Sequence, residues 1–345
     1  MPRKQLILIF GFVFLDLLGY SLILPLLPYY ADAFGATVTM VGLLGTSNAV
    51  AQLIAAPIIG RLSDRYGRRP LLIFSITGTL VSFLMLGLAN SLALVFLSRV
   101  LDGLLGGNIA LARAYITDIT DEKSRGRGLG IIGAAFGLGF IIGPAMGGFL
   151  SRYGFGVPAL VAAGLSALNL VALLLWLPES TTPEQRAALR ASPRTRFTLR
   201  ALQEALQRPC TGPLLHIQFL YSLAFTLFQS TFALYAKTHL DLTAQITSYV
   251  LTYVGILSVL VQGMAIGRLT RRFSERLLMG TSIAVLAISL GAWGLVPNVG
   301  WLLIVLAPIA LSAGVLGVVV SSQLTKSVLR EEVGGRWASR HPCKP

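Results

Sequence analysis

Acidic side chains are scarce in this chain: 14 Asp and Glu stand against 28 Lys and Arg in 345 residues. Only 12% of positions carry a charge while 54% are apolar, which excludes a soluble protein with a solvated surface. The three histidines, His216, His239 and His341, are scattered singly, and no spacing of His, Cys, Asp and Glu suggests a metal site, so no metal is expected. Both cysteines, Cys210 and Cys343, fall in segments expected to face the cytoplasm, which argues against a structural disulfide. A Gly-x-x-x-x-Gly-Lys-Ser/Thr loop is missing, against a built-in ATPase. No nucleophile sits beside a histidine, against an enzyme.

What the chain has instead is apolar runs long enough to cross a bilayer, with a mean hydropathy of +0.75. Pro2-Arg3-Lys4 leads directly into such a run without a small-residue cleavage site, so the first helix is expected to be retained. At about 20 apolar residues per span, the pattern predicts an all-α polytopic protein of ten membrane helices, at roughly 6–28, 39–59, 71–89, 92–115, 128–150, 157–177, 214–236, 246–266, 277–295 and 301–321. The net charge of +14 gathers in alternate loops, a topology signal and not a nucleic-acid face. Those loops hold Gly60–Pro70; Lys123, Arg125 and Arg127; Arg186, Arg190, Arg194, Arg196, Arg200 and Arg208; and Arg268, Arg271, Arg272 and Arg276. Both termini are therefore expected to be cytoplasmic. The polar stretch 178–213, with a surface helix expected near 199–206, divides a six-helix bundle (1–177) from a four-helix one (214–321), and a cytoplasmic tail is expected at 322–345.

The densest polar island is Gly60-Arg61-Leu62-Ser63-Asp64-Arg65-Tyr66-Gly67-Arg68-Arg69-Pro70. A charge at the bilayer centre costs roughly 2.5–3.5 kcal/mol on the insertion scale, so the island is expected to be a tight turn outside the hydrocarbon. Gly267-Arg268-Leu269-Thr270-Arg271-Arg272 repeats the pattern after a later span, with Arg271 where Asp64 stood. Repetition on the scale of several helices points to a transporter built from two similar halves. Asp64 is expected to pair with Arg65, Arg68 or, across the bundle, Arg113, closing the cytoplasmic side.

Asp16 lies about ten residues, or about 15 Å, into the first span, and Asp102 is at similar depth in the fourth. A carboxylate there must be neutral, paired or facing a wet cavity, and it exchanges protons as its hydration changes. Arg99, three residues before Asp102 on the same face, holds its charge at any physiological pH. Asp16, Arg99 and Asp102 form the candidate proton-coupling group, against the alternative of a static ion pair that fixes packing. Asn48 and Gln52 on the second helix, with Tyr221, Gln229 and Tyr235 on the seventh, are candidates for a substrate cavity suited to amphipathic organic molecules. Gly133, Gly137, Gly143, Gly147 and Gly148 permit close helix approach and Pro144 permits a bend, so the fifth helix is a candidate gate.

Four stretches carry a family resemblance. Gly60–Pro70 is similar to the loop motif of the major facilitator superfamily, with Gly60, Asp64, Arg65, Gly67, Arg68 and Arg69 at matching positions. Arg99-Val100-Leu101-Asp102-Gly103 resembles its fourth-helix motif, and Gly133–Gly148 its antiporter signature. Asp16-Leu17-Leu18-Gly19-Tyr20 with Pro25 and Pro28 resembles the first-helix motif of its drug antiporters, which adds Tyr20 to the candidate cavity. The resemblance, strongest to the tetracycline-efflux-like branch and covering about 6–335, implies a two-bundle fold of six plus four helices. It also implies proton-coupled antiport of amphipathic drug-like molecules by alternating access, driven by the proton gradient with no cofactor, in a plasma (inner) membrane. The implied partners are a small-molecule substrate, protons and the lipid bilayer. The family pattern has twelve helices, and Arg336–Pro345 is too polar to continue a span, so a C-terminal truncation is expected. The alternative is a non-transporting truncated carrier or a regulatory membrane binder of the same fold. No oligomeric state is legible.

Overall fold

A computed structural model describes residues 3–181, 184, 203, 204, 206–208 and 211–334. Side chains are described outside 3–4, 122–127 and 325–334. Cys210, Cys343, Arg186, Arg190, Arg194, Arg196, Arg200, most of the stretch expected as a surface helix, and the end of the tail lie outside the described residues, as do the side chains of Lys123, Arg125 and Arg127.

Ten helices among the described residues are long and apolar enough to cross a membrane. The chain is all-α there, and it is an integral membrane protein. In chain order the helices are α1 (Arg3–Ile23), α2 (Leu27–Asp32), α3 (Val38–Tyr66), α4 (Arg68–Gly87), α5 (Leu92–Leu105), α6 (Asn108–Ile119), α7 (Glu122–Leu150) and α8 (Gly156–Trp176). After the linker come α9 (Thr211–Leu240), α10 (Ala244–Leu260), α11 (Ile266–Arg272), α12 (Glu275–Trp293) and α13 (Val299–Gly334). Backbone groups in lipid must be satisfied within the chain, which is why apolar runs of this length fold as helices.

Three spans depart from uninterrupted helix. The first span stops at Ile23, and Pro25 and Pro28 set off the short α2. The fourth is broken at Gly106-Gly107 between α5 and α6. The eighth passes from α10 to α11 through a single π-helical turn, Val261–Ala265. The arginine island is also more helical than expected: α3 runs through Tyr66 and α4 starts at Arg68, leaving Gly67 alone to reverse the chain at φ 107°. Polar residues extend a helix once it has left the hydrocarbon, and only glycine tolerates that φ without strain.

The chain forms two compact units, Met1–Ser192 with Ser230–Gly255, and Pro193–Gln229 with Ile256–Pro345. In the first, α1 packs on α7 and α8, α4 on α8 and α5, and α3 on α5. Its core includes a large apolar cluster around Ile9, Val13, Leu72, Ile76, Leu111 and Ile116 and another around Leu22, Phe83, Leu86, Val95 and Ala162. Along α4, α5 and α6 the buried polar residues Thr79, Ser82, Ser98, Arg99, Asp102 and Asn108 fall between the positions that feed these clusters, and Asp16 stands beside them on α1. They form a polar layer at mid-bundle. In the second unit Val261, Leu278, Val315 and Val319 make a smaller core, with α12 packed along α13.

Candidate functional site

The polar layer opens onto a cavity of about 180 Å³ lined by Asp16, Tyr20, Asn48, Gln52, Asp102 and Asn108, with Thr79, Phe83 and Phe136 among the remaining walls. Five of the residues singled out in the sequence therefore meet in one place. Asn48 and Gln52 are positioned by the backbone of another helix. Asn48 Nδ2 donates to the Arg99 carbonyl at 2.9 Å and to Asp102 Oδ2 at 3.1 Å. Gln52 Nε2 donates to the Gly106 carbonyl at 3.2 Å. This reach of α3 onto α5 depends on Gly103, where a Cβ would strike the Asn48 carbonyl and the Ala51 methyl.

Arg99 and Asp102 form the ion pair their spacing suggests, Nη1 to Oδ2 at 3.6 Å. The guanidinium also donates to Ser82 Oγ at 3.2 Å and lies 5.7 Å from the centre of the Phe83 ring. Asp16 stands apart from that pair. Its Oδ1 accepts from Asn108 Nδ2 at 2.6 Å, and the same nitrogen reaches Thr79 Oγ1 at 3.1 Å. No ion pair to Asp16 occurs among the described residues. All four of Asp16, Arg99, Asp102 and Asn108 are at most 8% exposed.

Asn108, Thr79 and Ser82 were missed in the sequence. The signal available for Asn108 was its place directly after Gly106-Gly107, within an apolar run where a helix break frees a side chain. Arg99 does not line the cavity and touches its wall through Asp102. Tyr221 and Gln229 lie on α9 in the second unit, where the Tyr221 hydroxyl donates to the Ala313 carbonyl at 3.1 Å.

A second cluster surrounds the island. Arg68 binds Asp64 at 2.6 Å and Asp118 at 3.0 Å, and also donates to Ser63. Of the three partners considered for Asp64, Arg68 is the one the geometry supplies; Arg113 forms no ion pair with it among the described residues. Glu179 was not among the candidates read from the sequence; its carboxylate accepts from the Arg68 and Arg69 amides at 2.9 and 3.2 Å and so caps α4. Arg69 Nη2 donates to the Leu174 carbonyl at 2.7 Å, Ser180 Oγ to Asp118 at 3.0 Å, and Tyr115 to the Pro178 carbonyl at 2.8 Å. The end of α8 is thereby tied to α4 and α6.

The glycines of α7 divide by environment. A Cβ at Gly143 or Gly147 would collide with Ser21 or Leu22 of α1, and one at Gly148 with Ser248 of α10. Gly133 has nothing within 4 Å of such a Cβ. Close approach there serves α1 and the start of α10. Beyond it, the Tyr29 hydroxyl of α2 donates to the Leu242 carbonyl at 2.8 Å and lies 2.6 Å from Thr247 Oγ1, while Lys237 pairs with Asp32. Burial lifts the Tyr29 phenol above the ordinary tyrosine value, against a smaller opposing effect of the Thr247 bond, which keeps it a donor.

These features define a helical membrane carrier with a polar, charge-bearing cavity inside one bundle. The chain belongs to the Major Facilitator Superfamily, whose family model matches residues 9–337. It is 29% identical over 333 residues to the tetracycline resistance protein, class H, of Pasteurella multocida, covering 94% of this chain and 82% of that protein. It is 30% identical over 352 residues to solute carrier family 22 member 18 of Rattus norvegicus, covering 99% and 85%. Among solved structures, the human organic anion transporter MFSD10 (TETRAN) superposes with a TM-score of 0.70 at 23% identity, over 93% of this chain and 85% of that one, a likeness of fold.

Proposed function

We propose that this transporter is a proton-coupled antiporter that moves amphipathic drug-like molecules outward by alternating access. Both termini would face the cytoplasm of a plasma (inner) membrane, and the proton gradient would be the energy source, with no cofactor. The observation that carries the reading is Asp16: a carboxylate at mid-span, facing a cavity, whose one described side-chain partner is a neutral amide. An intramembrane carboxyl without a fixed counter-charge is a natural place for a proton to bind and leave. Tyr20, Asn48 and Gln52 beside Phe83 and Phe136 give the cavity mixed polar and aromatic walls, as an amphipathic substrate requires. The likeness to a tetracycline resistance protein supports the substrate class. The Arg68 cluster and the α7 glycines are read as the gates of the two sides.

The test is substrate-triggered proton release from acid-loaded inside-out vesicles, comparing the full chain with Asp16→Asn over a panel of amphipathic drugs that includes tetracycline. Release that disappears in Asp16→Asn is the expected result. No release from well-inserted protein in the known orientation would refute antiport and favour a non-transporting membrane binder.

A further inference from the structure

The break in the fourth span is built and not frayed. Ser75 of α4 bridges it, donating to the Leu105 carbonyl and accepting from the Gly107 amide at 3.0 Å, so a side chain reinforces the direct bond from the Gly107 amide to the Leu105 carbonyl at 2.9 Å. At Gly106 a Cβ would strike the Asp102 carbonyl, and at Gly107 it would strike Ile59, so both positions are closed to larger residues. The interruption frees Asn108 to open α6 with its amide turned on Asp16 and Thr79.

Seven and ten residues later, about 10 and 15 Å along the helix, α6 carries Tyr115 and Asp118, which hold Pro178, Ser180 and Arg68. Between its two polar ends the buried face of α6 is the apolar set Leu111, Ala112 and Ile116. A helix attached by polar groups only at its ends, with a smooth apolar face between, is suited to small sliding as a rigid body.

We propose that Asn108 is a positioning residue that couples Asp16 to the Arg68 cluster, with α6 acting as a short rod hinged at Gly106-Gly107. This rests on Asp16 being the proton site proposed above. The device is in the two chemistries of an amide. With Asp16 ionised, Asn108 Nδ2 donates to it in a short charge-assisted bond. Asn108 Oδ1 is buried and without a hydrogen-bond partner. When Asp16 takes up a proton its new O–H needs an acceptor, and that idle oxygen is the one built beside it. Turning the amide to accept breaks the bond to Thr79 and moves the first turn of α6. The other titratable or charged groups near Asp16 are Tyr20 on α1, and Asp102 and its partner Arg99 on α5. The facing residues of α3, α4 and α7 that line the cavity, Asn48, Gln52, Thr79, Phe83 and Phe136, do not titrate.

The experiment places spin labels at Thr117→Cys, on the exposed far end of α6, and Leu84→Cys, on α4, in the full chain with Cys210→Ser and Cys343→Ser, and reads their separation in lipid nanodiscs at pH 8 and pH 5. A pH-dependent shift of about 1–2 Å is expected for a sliding helix. It should vanish in Asp16→Asn and also in Asn108→Ala, where Asp16 is intact; Asn108→Leu, which keeps the volume, serves if the smaller residue unfolds the bundle. A shift that survives loss of Asn108, or no shift in the parent chain, overturns the rod. The readout separates the two proposals. A shift that needs both Asp16 and Asn108, without proton release, refutes antiport and upholds the rod, whereas Asp16-dependent release without a shift refutes the rod alone.

Discussion

Gly143→Ala and Gly133→Ala add the same methyl group to the same helix, yet the structure assigns them opposite outcomes. At position 143 the new Cβ would fall on Ser21 Oγ and lie 2.9 Å from both Leu22 N and Ser21 Cβ. Carbon atoms rest at about 3.5–4.0 Å, so α1 must retreat by a sizeable fraction of an ångström along its main seam. Overpacking of this kind costs about 1–3 kcal/mol. The retreat also strains the bond from Ser21 Oγ to the Gly139 carbonyl, 2.8 Å long and fully buried, the sort of interhelical bond that averages about 0.6 kcal/mol. Alanine returns about 0.5–1 kcal/mol of helix propensity. The net expectation for Gly143→Ala is a loss of about 1–3 kcal/mol. Position 133 has no atom within 4 Å of an added Cβ, so Gly133→Ala keeps only the gain. Reversible unfolding in mixed micelles, or steric trapping in bicelles, measures both. Ser21→Ala should recover part of the Gly143→Ala loss, since it removes one obstacle and leaves the Leu22 backbone. Equal stability of the two alanine variants would refute the claim that the α1–α7 seam is set by backbone contact.

Asp102→Asn should destabilise the first unit far more than Asp16→Asn, because it strands the buried Arg99; breaking such a pair costs about 3–5 kcal/mol, and thermal unfolding in detergent gives the order. Gly67→Ala should lower the melting temperature, since φ 107° is strained for alanine and its Cβ would press into the Glu179 carboxylate, while Gly60→Ala, with open space around it, should not. Tyr29→Phe removes the donor to the Leu242 carbonyl and the contact with Thr247. About 1 kcal/mol of local stability is at stake, and faster hydrogen exchange confined to residues 242–247 is the expected sign.

The ten spans were legible because lipid leaves a chain one way to satisfy its backbone, and hydropathy reports that directly. Asp64 with Arg68 and Arg99 with Asp102 were legible for a related reason: at separations of four and three residues the helix itself brings them together. Glu179 and Asp118 were not, because their partners lie 111 and 50 residues away and meet them only when α4, α6 and α8 pack. The break at Gly106-Gly107 was hidden for the same reason. The two glycines leave hydropathy high enough for one uninterrupted span, and what stabilises the break is Ser75, on another helix. Spacing alone grouped Gly133 with Gly143, and only the position of α1 separates them.

Sequence depth also grouped Asp16 with Asp102, and here the packing draws a distinction with functional weight. Asp102 has Arg99 within 3.6 Å and Asn48 at 3.1 Å. A unit charge at about that distance is worth about 4 kcal/mol in a medium of effective dielectric 20, so ionised Asp102 and Arg99 largely answer each other and the pair is neutral as a whole. Asp16 has a single amide at 2.6 Å, and a hydrogen bond to a charged group contributes about 1.5–3 kcal/mol. With both carboxyls ionised, the charged residues of the polar layer sum to one negative charge, and the charge left without an answer is on Asp16. If Asp16 is the proton site proposed above, a proton bound there removes that charge and leaves the Arg99 pair in place. On the antiport reading proposed above, the two carboxyls have different work: Asp102 holds the arginine and, through Asn48, the approach of α3, while Asp16 is the one that exchanges a proton.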